Sequence, residues 1–312
     1  MDKATENLLL SKMKKYLIAT CRNVPFTKLT TLGVGGTINV TVYPDTECKL
    51  IKTIRLLTKL KVNYYILGKG SNVLASDDYF DGVVVVNKTN KIRVCRNRVA
   101  ALSGVSTVML GKLLADKGLT GGEFFACLPA SVGGATVGNA GCFGQDVASV
   151  VSSVKVLHNG RIRVLSRQKC QFSKRNSLFK NNDSYVVLSV KFRFTRSSAQ
   201  AVKDRIAQMR GKKAQTQPLD YRSAGCVLYH DKVAVSRLID QAGLKGYTVG
   251  GAQVSTKHAG FVVNLDKATS WDIYLVIRYV KETLLSLYGV RAKTEVCLIN
   301  FTQEQYDILT KR

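Results

Sequence analysis

Acidic residues are scarce in this chain. It has 21 Asp+Glu against 47 Lys+Arg, a formal net charge of +26. That imbalance says nothing about fold but favours anionic partners, either nucleic acid or phosphorylated small molecules. The densest basic stretch, Lys88 to Arg98, lacks any aromatic residue that could stack on a base, which argues against nucleic acid. No run approaches the roughly 20 apolar residues that span a bilayer. Leu8-Leu9-Leu10 is too short for the apolar core of a secretory leader and runs into Lys12, Lys14 and Lys15. None of the eight cysteines forms a C-x-x-C pair, and no histidine has a second at i+3 or i+4, so no metal is expected. No histidine at all lies in residues 1–157. No internal repeat is visible. The expected location is the cytoplasm, with reduced thiols.

What is present builds a core. Apolar residues make up 46% of 312, enough for two domains or three small ones. Residues 5–20 read as an amphipathic helix, with Leu9, Met13, Tyr16 and Leu17 on one face. Asp45-Thr46 can cap a second helix carrying Leu50, Ile54, Leu57 and Leu60. Short apolar strands are expected at 64–67 and 83–86, and a helix at 105–117. Alternation predicts antiparallel strands over 151–165 and 184–195. A basic helix over 198–213 precedes an irregular segment from Gln215 to Gly225. Helices at 233–242 and 269–287 and strands at 260–265 and 296–301 complete the chain. Strands and helices mix without strict alternation, which reads as α+β and not as a doubly wound sheet.

Two glycine-rich loops stand out. The strand Tyr64-Tyr65-Ile66-Leu67 runs straight into Gly68-Lys69-Gly70-Ser71-Asn72-Val73-Leu74. This is neither a Walker A sequence nor G-x-G-x-x-G. Yet glycines expose backbone N–H groups, Ser71 and Asn72 add donors and Lys69 adds charge, which together suit a diphosphate. An ordinary tight turn after a strand remains an equal reading. The second loop, 121–144, contains Pro129-Ala130-Ser131-Val132-Gly133-Gly134 and Asn139. Its glycines permit close backbone approach, and the Asn139 amide could read a flavin or nucleotide edge. Loops this long are uncommon unless functional. Two such loops suggest a dinucleotide held from two sides. Cys226 beside Gly225 is either a buried structural thiol or a proton donor in a cleft. Gln253 and His258, in a second Gly-rich turn, could line a polar ligand. Arg175 and Glu295 would not be singled out by local sequence alone.

Read in order, Thr30 to Gly36, Gly68 to Leu74, Leu128 to Gly134, Asn139 to Gly144, Arg175-Asn176-Ser177, Ser223 to Val227, Ala242 to Gly246 and Gly250 to His258 resemble the UDP-N-acetylenolpyruvoylglucosamine reductase (MurB) family, in its shorter, second type. The resemblance runs from about residue 27 to 300. It implies an N-terminal helix in 1–26, a PCMH-type FAD-binding domain of the vanillyl-alcohol oxidase kind in 27–197, and a smaller α/β substrate-binding domain in 198–312. It implies FAD as cofactor, NADPH as co-substrate and a UDP-sugar enolpyruvyl ether as substrate, reduced to UDP-N-acetylmuramate for peptidoglycan synthesis. A monomer is expected.

The same resemblance places the catalytic arginine on Arg175, the proton donor on Cys226 and the C-terminal glutamate on Glu295. Gly68 to Leu74, Pro129, Ala130, Ser131, Gly133, Gly134 and Asn139 would hold the cofactor, and Gln253 and His258 the substrate. The chain departs from the family pattern at several points. Cys226 stands for serine, Lys69 and Ala130 for glycines, Lys174 for tyrosine, and Leu228-Tyr229-His230-Asp231 for Phe-Lys-Asn-Pro. Two alternatives stay open: a flavin-dependent sugar or lactone oxidase, attaching flavin through Cys127 or Cys142, and a basic nucleic-acid-binding protein.

Overall fold

The computed structural model describes residues 1–180 and 182–310. By packing, these form two compact units, neither continuous in sequence. The first comprises Met1–Arg22, Val40–Lys69 and Asp81–Lys213; the second comprises Asn23–Asn39, Gly70–Phe80 and Ala214–Arg312.

The first unit opens with α1 (Lys3–Lys15), where the Asp2 carboxylate accepts the Thr5 N–H at 2.8 Å. Thr46 caps α2 (Glu47–Lys59), whose Leu50, Ile51, Ile54 and Leu57 are buried. Leu9 and Met13 of α1 join them against a four-stranded sheet ordered Ala19–Pro25, Thr37–Tyr43, Phe80–Val86, Tyr64–Leu67. The last two strands run parallel, with Tyr64 opposite Val83 and Leu67 opposite Val86. A second, antiparallel sheet has the order Arg161–Ser166, Val151–His158, Tyr185–Arg193, Arg98–Leu102, Ile92–Cys95. Its Val99, Ala101, Val154, Val156, Val190 and Phe192 share a core with α3 (Thr107–Asp116), Phe124, Phe125 and the short α4 (Val132–Val137). The basic helix α5 (Ala199–Thr216) buries only Val202 and Ile206, against Ala115 and Ala126.

The second unit holds an antiparallel sheet ordered Arg222–Cys226, Phe261–Asn264, Ala252–Val254, Thr248–Val249. Around it lie α6 (Val235–Gln241), α7 (Ser270–Tyr288) and α8 (Gln303–Thr310). A full capping box fixes the start of α7: Thr269 accepts the Asp272 N–H, and the Asp272 carboxylate accepts the Thr269 N–H. Cys297–Ile299 pairs in parallel with Val73–Ala75.

Most expected elements form, with local differences. The first helix stops at Lys15 because Leu17 turns to φ +54°, and residues 19–25 become a strand. The segment expected to be irregular from 215 is helical to Thr216 and a strand from Arg222.

Candidate functional site

In the first unit the two glycine loops meet at one point. A Cβ on Gly68 would sit 2.1 Å from the Ser131 Oγ, so only glycine allows this approach. Ser131 is buried, and its Oγ accepts the Gly134 N–H at 3.2 Å. The loop is clamped from behind: the Val132 and Gly133 N–H groups donate to the carbonyls of Val105 and Ser103, at 2.8 and 2.7 Å. A Cβ on Gly133 would collide with Ser103 at 2.8 Å. Thr107, which the sequence reading missed, holds Ala130 by accepting its N–H, while its own N–H donates back to the Ala130 carbonyl. Pro129 is exposed at the loop surface.

From Gly68 to Asn72, none of the backbone N–H groups donates to a protein acceptor among the described residues. Gly70 takes φ +63°, and a Cβ there would lie 2.0 Å from the Leu29 carbonyl. The segment is thus a run of unspent donors on a turn that a side chain would block. That donor set suits the diphosphate of a dinucleotide, with Lys69 exposed beside it.

Asn139 corrects the sequence reading. Its buried amide nitrogen donates to Asp146 (3.0 Å) and to the Ser173 carbonyl (2.9 Å), and its oxygen accepts the Ala148 N–H (2.9 Å). Both ends of the amide are committed to the protein, so the side chain organises the loop and does not read a cofactor edge. Through Ser173 it fixes the Ser173–Asn176 turn, at whose tip Arg175 adopts φ +56°, an uncommon conformation for a side chain of this size. The Arg175 guanidinium donates to the Gly141 carbonyl at 3.2 Å, and Lys180 Nζ donates to the Arg175 carbonyl at 3.0 Å.

In the second unit, Val73 and Leu74 are strand residues buried in the core, Leu74 completely. They were expected at the cofactor; their side chains pack inward and their backbone pairs with Cys297 and Leu298. Asn72 has moved from ligand donor to brace: its Nδ2 donates to the Glu295 carbonyl at 3.0 Å. The Glu295 N–H in turn donates to Val227 O at 2.8 Å, and the Val227 N–H donates to Gly260 O at 3.0 Å. Glu295, the residue after Cys226, and the His258 turn are therefore tied in sequence. The Cys226 Sγ and the His258 Cε1 lie 3.2 and 3.1 Å from where a Gly260 Cβ would be, so the thiol and the imidazole share one small space. His258 Nδ1 accepts the Gly260 N–H at 3.1 Å, which leaves any neutral-ring proton on Nε2. Burial lowers its pKa below the usual imidazole value. Gln253 does not join this group. Its amide nitrogen donates across its own hairpin to Thr248 Oγ1 at 3.0 Å, so the expected substrate contact is spent on the fold.

Cys142 is half-buried, and burial pushes its thiol up to about 11; burial raises Cys127 as well. Neither is disposed to form the thiolate that covalent flavin attachment would use.

Comparison with known proteins gives consistent matches. Residues 217–299 match the family model "UDP-N-acetylenolpyruvoylglucosamine reductase, C-terminal domain", and residues 14–166 match "FAD binding domain". The UDP-N-acetylenolpyruvoylglucosamine reductase of Clostridium novyi is 36% identical over 285 residues, covering 90% of this chain and 92% of its own. That of Caldanaerobacter subterraneus is 33% identical over 302 residues, covering 96% and 97%. Among solved structures, the UDP-N-acetylenolpyruvylglucosamine reductase of Thermus caldophilus superposes with a TM-score of 0.77 at 27% identity, covering 90% of this chain and 98% of that one.

Proposed function

The chain belongs to the UDP-N-acetylenolpyruvoylglucosamine reductase family, and on that premise we propose that it is an FAD-dependent oxidoreductase. It uses NADPH to reduce the enolpyruvyl ether of UDP-N-acetylglucosamine to UDP-N-acetylmuramate, a step in peptidoglycan precursor synthesis. The observation that carries this reading is the run of uncommitted N–H groups from Gly68 to Asn72 on a glycine-dependent turn. We assign the FAD-binding region to 27–197 and the substrate-binding region to 198–312. No helix among the described residues is long and apolar enough to cross a membrane, and the enzyme is proposed to act in the cytoplasm as a monomer.

When bound, FAD supplies hydride transfer from NADPH to C3 of the enol ether. The protein supplies geometry and charge. Gly68 to Asn72 and the Ser131–Gly134 turn would hold the cofactor's diphosphate through backbone donors. Arg175, fixed at the tip of its turn, would stabilise the negative charge that develops on the substrate's carboxylate and C2. The Cys226 thiol would deliver the proton to C2, a contribution of perhaps ~10²–10⁴-fold. His258 and Glu295, tied to the same strand, would hold the substrate and that proton donor in place. The sugar-oxidase alternative gains no support, since burial disfavours the thiolates of Cys127 and Cys142.

The test is the spectrum of the purified protein and its two half-reactions. A yellow flavoprotein that NADPH bleaches, and that the enolpyruvyl substrate recolours, is the expected result. A folded protein that takes up no flavin when it is supplied in excess would reject the assignment.

A further inference from the structure

We infer that the outward face of the five-stranded sheet in the first unit docks on an anionic phospholipid surface. The five strands of this sheet carry arginines and lysines but no aspartate or glutamate. One face is spent on the core, where Val99, Ala101, Val154, Val156, Val190 and Phe192 converge. Alternation sends Arg98, Lys191 and Arg193 to the other face, and Arg93 joins them because it pairs with Ala100.

Part of that face is covered: Leu157, Val186 and Leu188 pack with α1 and α2, and Lys155 is paired with Glu47 at the start of α2. The other end is open. Arg93, Arg98, Lys191 and Arg193 are all exposed, and none makes an ion pair among the described residues. Arg98 and Arg193 stand directly opposite one another in the ladder, a like-charge pair that weakens the sheet. A concentration of uncompensated cations that works against its own fold is explained by an anionic partner.

The neighbouring side chains favour a bilayer over nucleic acid. Ile162 and Val164 are 48% and 62% exposed on the same face, opposite Leu157 and Lys155. Exposed aliphatics beside cations suit the headgroup and upper acyl region of an anionic membrane. No exposed aromatic on these strands offers a base a stacking surface.

The experiment is co-sedimentation of the full-length protein with vesicles of phosphatidylcholine alone and of phosphatidylcholine mixed with phosphatidylglycerol. Binding to the anionic vesicles only, falling with salt, is expected. The triple variant Arg98→Ser/Lys191→Ser/Arg193→Ser should bind about 10²-fold more weakly, with circular dichroism unchanged. Ile162→Ser/Val164→Ser should weaken binding with no change in salt dependence. The triple variant Lys12→Ser/Lys14→Ser/Lys15→Ser removes equal charge from α1 and should lose far less. Equal loss in both triple variants, no preference for anionic vesicles, or tighter binding to duplex DNA that the sheet triple variant abolishes, would each overturn the inference. Vesicle binding is read without substrate or cofactor, so its outcome is independent of the proposed catalysis.

Discussion

At the scale of single residues, Cys226 is where this chain's chemistry is most its own. Where relatives in the family pattern use a serine, the acid here is a thiol that shares its space with the His258 ring. Either group can hand a proton to C2, but alanine cannot. Cys226→Ala is therefore expected to keep NADPH-driven bleaching of the flavin while losing about 10²–10⁴-fold in recolouring by substrate, and Cys226→Ser to stay within about tenfold of the parent. Stopped-flow traces of the two half-reactions measure both, and full turnover by the alanine variant would take the thiol out of the mechanism. A different residue governs alkaline behaviour. Lys281 is buried under α8, donating to the Leu309 carbonyl, and burial lowers its pKa from 10.5 to about 8. Below pH 8 it is charged in both folded and unfolded chains, and the full cost of burying that charge is present. Between pH 8 and 10.5 the unfolded chain holds the proton that the folded one releases, so this group's contribution to stability improves as pH rises. Lys281→Met should raise Tm at neutral pH and flatten the rise between pH 8 and 10.5 relative to the parent. Parallel melting curves for the two proteins would contradict the assignment.

At the scale of elements, the turn that joins Leu67 to Val73 depends on glycine. A Cβ on Gly70 would have to pass through the Leu29 carbonyl at 2.0 Å while holding φ +63°. Gly70→Ala is expected to yield protein depleted of flavin, with the remainder bound at least ~10-fold more weakly, since the run of N–H donors must re-aim. Fluorescence titration of the apoprotein with FAD reads this directly, and parental affinity would show that the turn tolerates distortion. This element shows what the sequence could and could not reveal. A strand running into G-x-G-S-N was legible because glycine and β-branched patterning act locally. So were α2, capped by Thr46, and α7, capped by Thr269, since a cap and a helical stripe are short-range signals. The fates of Asn72 and Asn139 were not legible. An amide looks the same in sequence whether it faces a ligand or braces a loop, and its partners Glu295 and Ser173 lie 223 and 34 residues away. Val73 and Leu74 were assigned to the cofactor by motif adjacency, whereas their pairing with 297–299 depends on chain closure that no local pattern encodes. Arg175 needed the family resemblance, because only the turn around it distinguishes it from a surface arginine.

At the scale of the whole molecule, the charge of +26 meets a reaction whose proposed ligands are all anionic. Long-range attraction raises the rate at which such ligands arrive, and does little once they are bound. The two effects separate by ionic strength, because the screening length shrinks from about 30 Å at 0.01 M to about 8 Å at 0.15 M. Fields summed over distant lysines and arginines vanish across that range, while contacts within a few ångströms persist. The expectation is therefore specific: kcat/KM for NADPH and for the UDP-sugar should both fall as salt rises, with kcat nearly constant. A neutral solute at matched viscosity should not reproduce the fall. Were the surplus charge only a surface property with no bearing on encounter, kcat/KM would stay flat with salt. A parallel fall in kcat would instead place the salt-sensitive charge among the groups that touch the reacting atoms, Arg175 foremost.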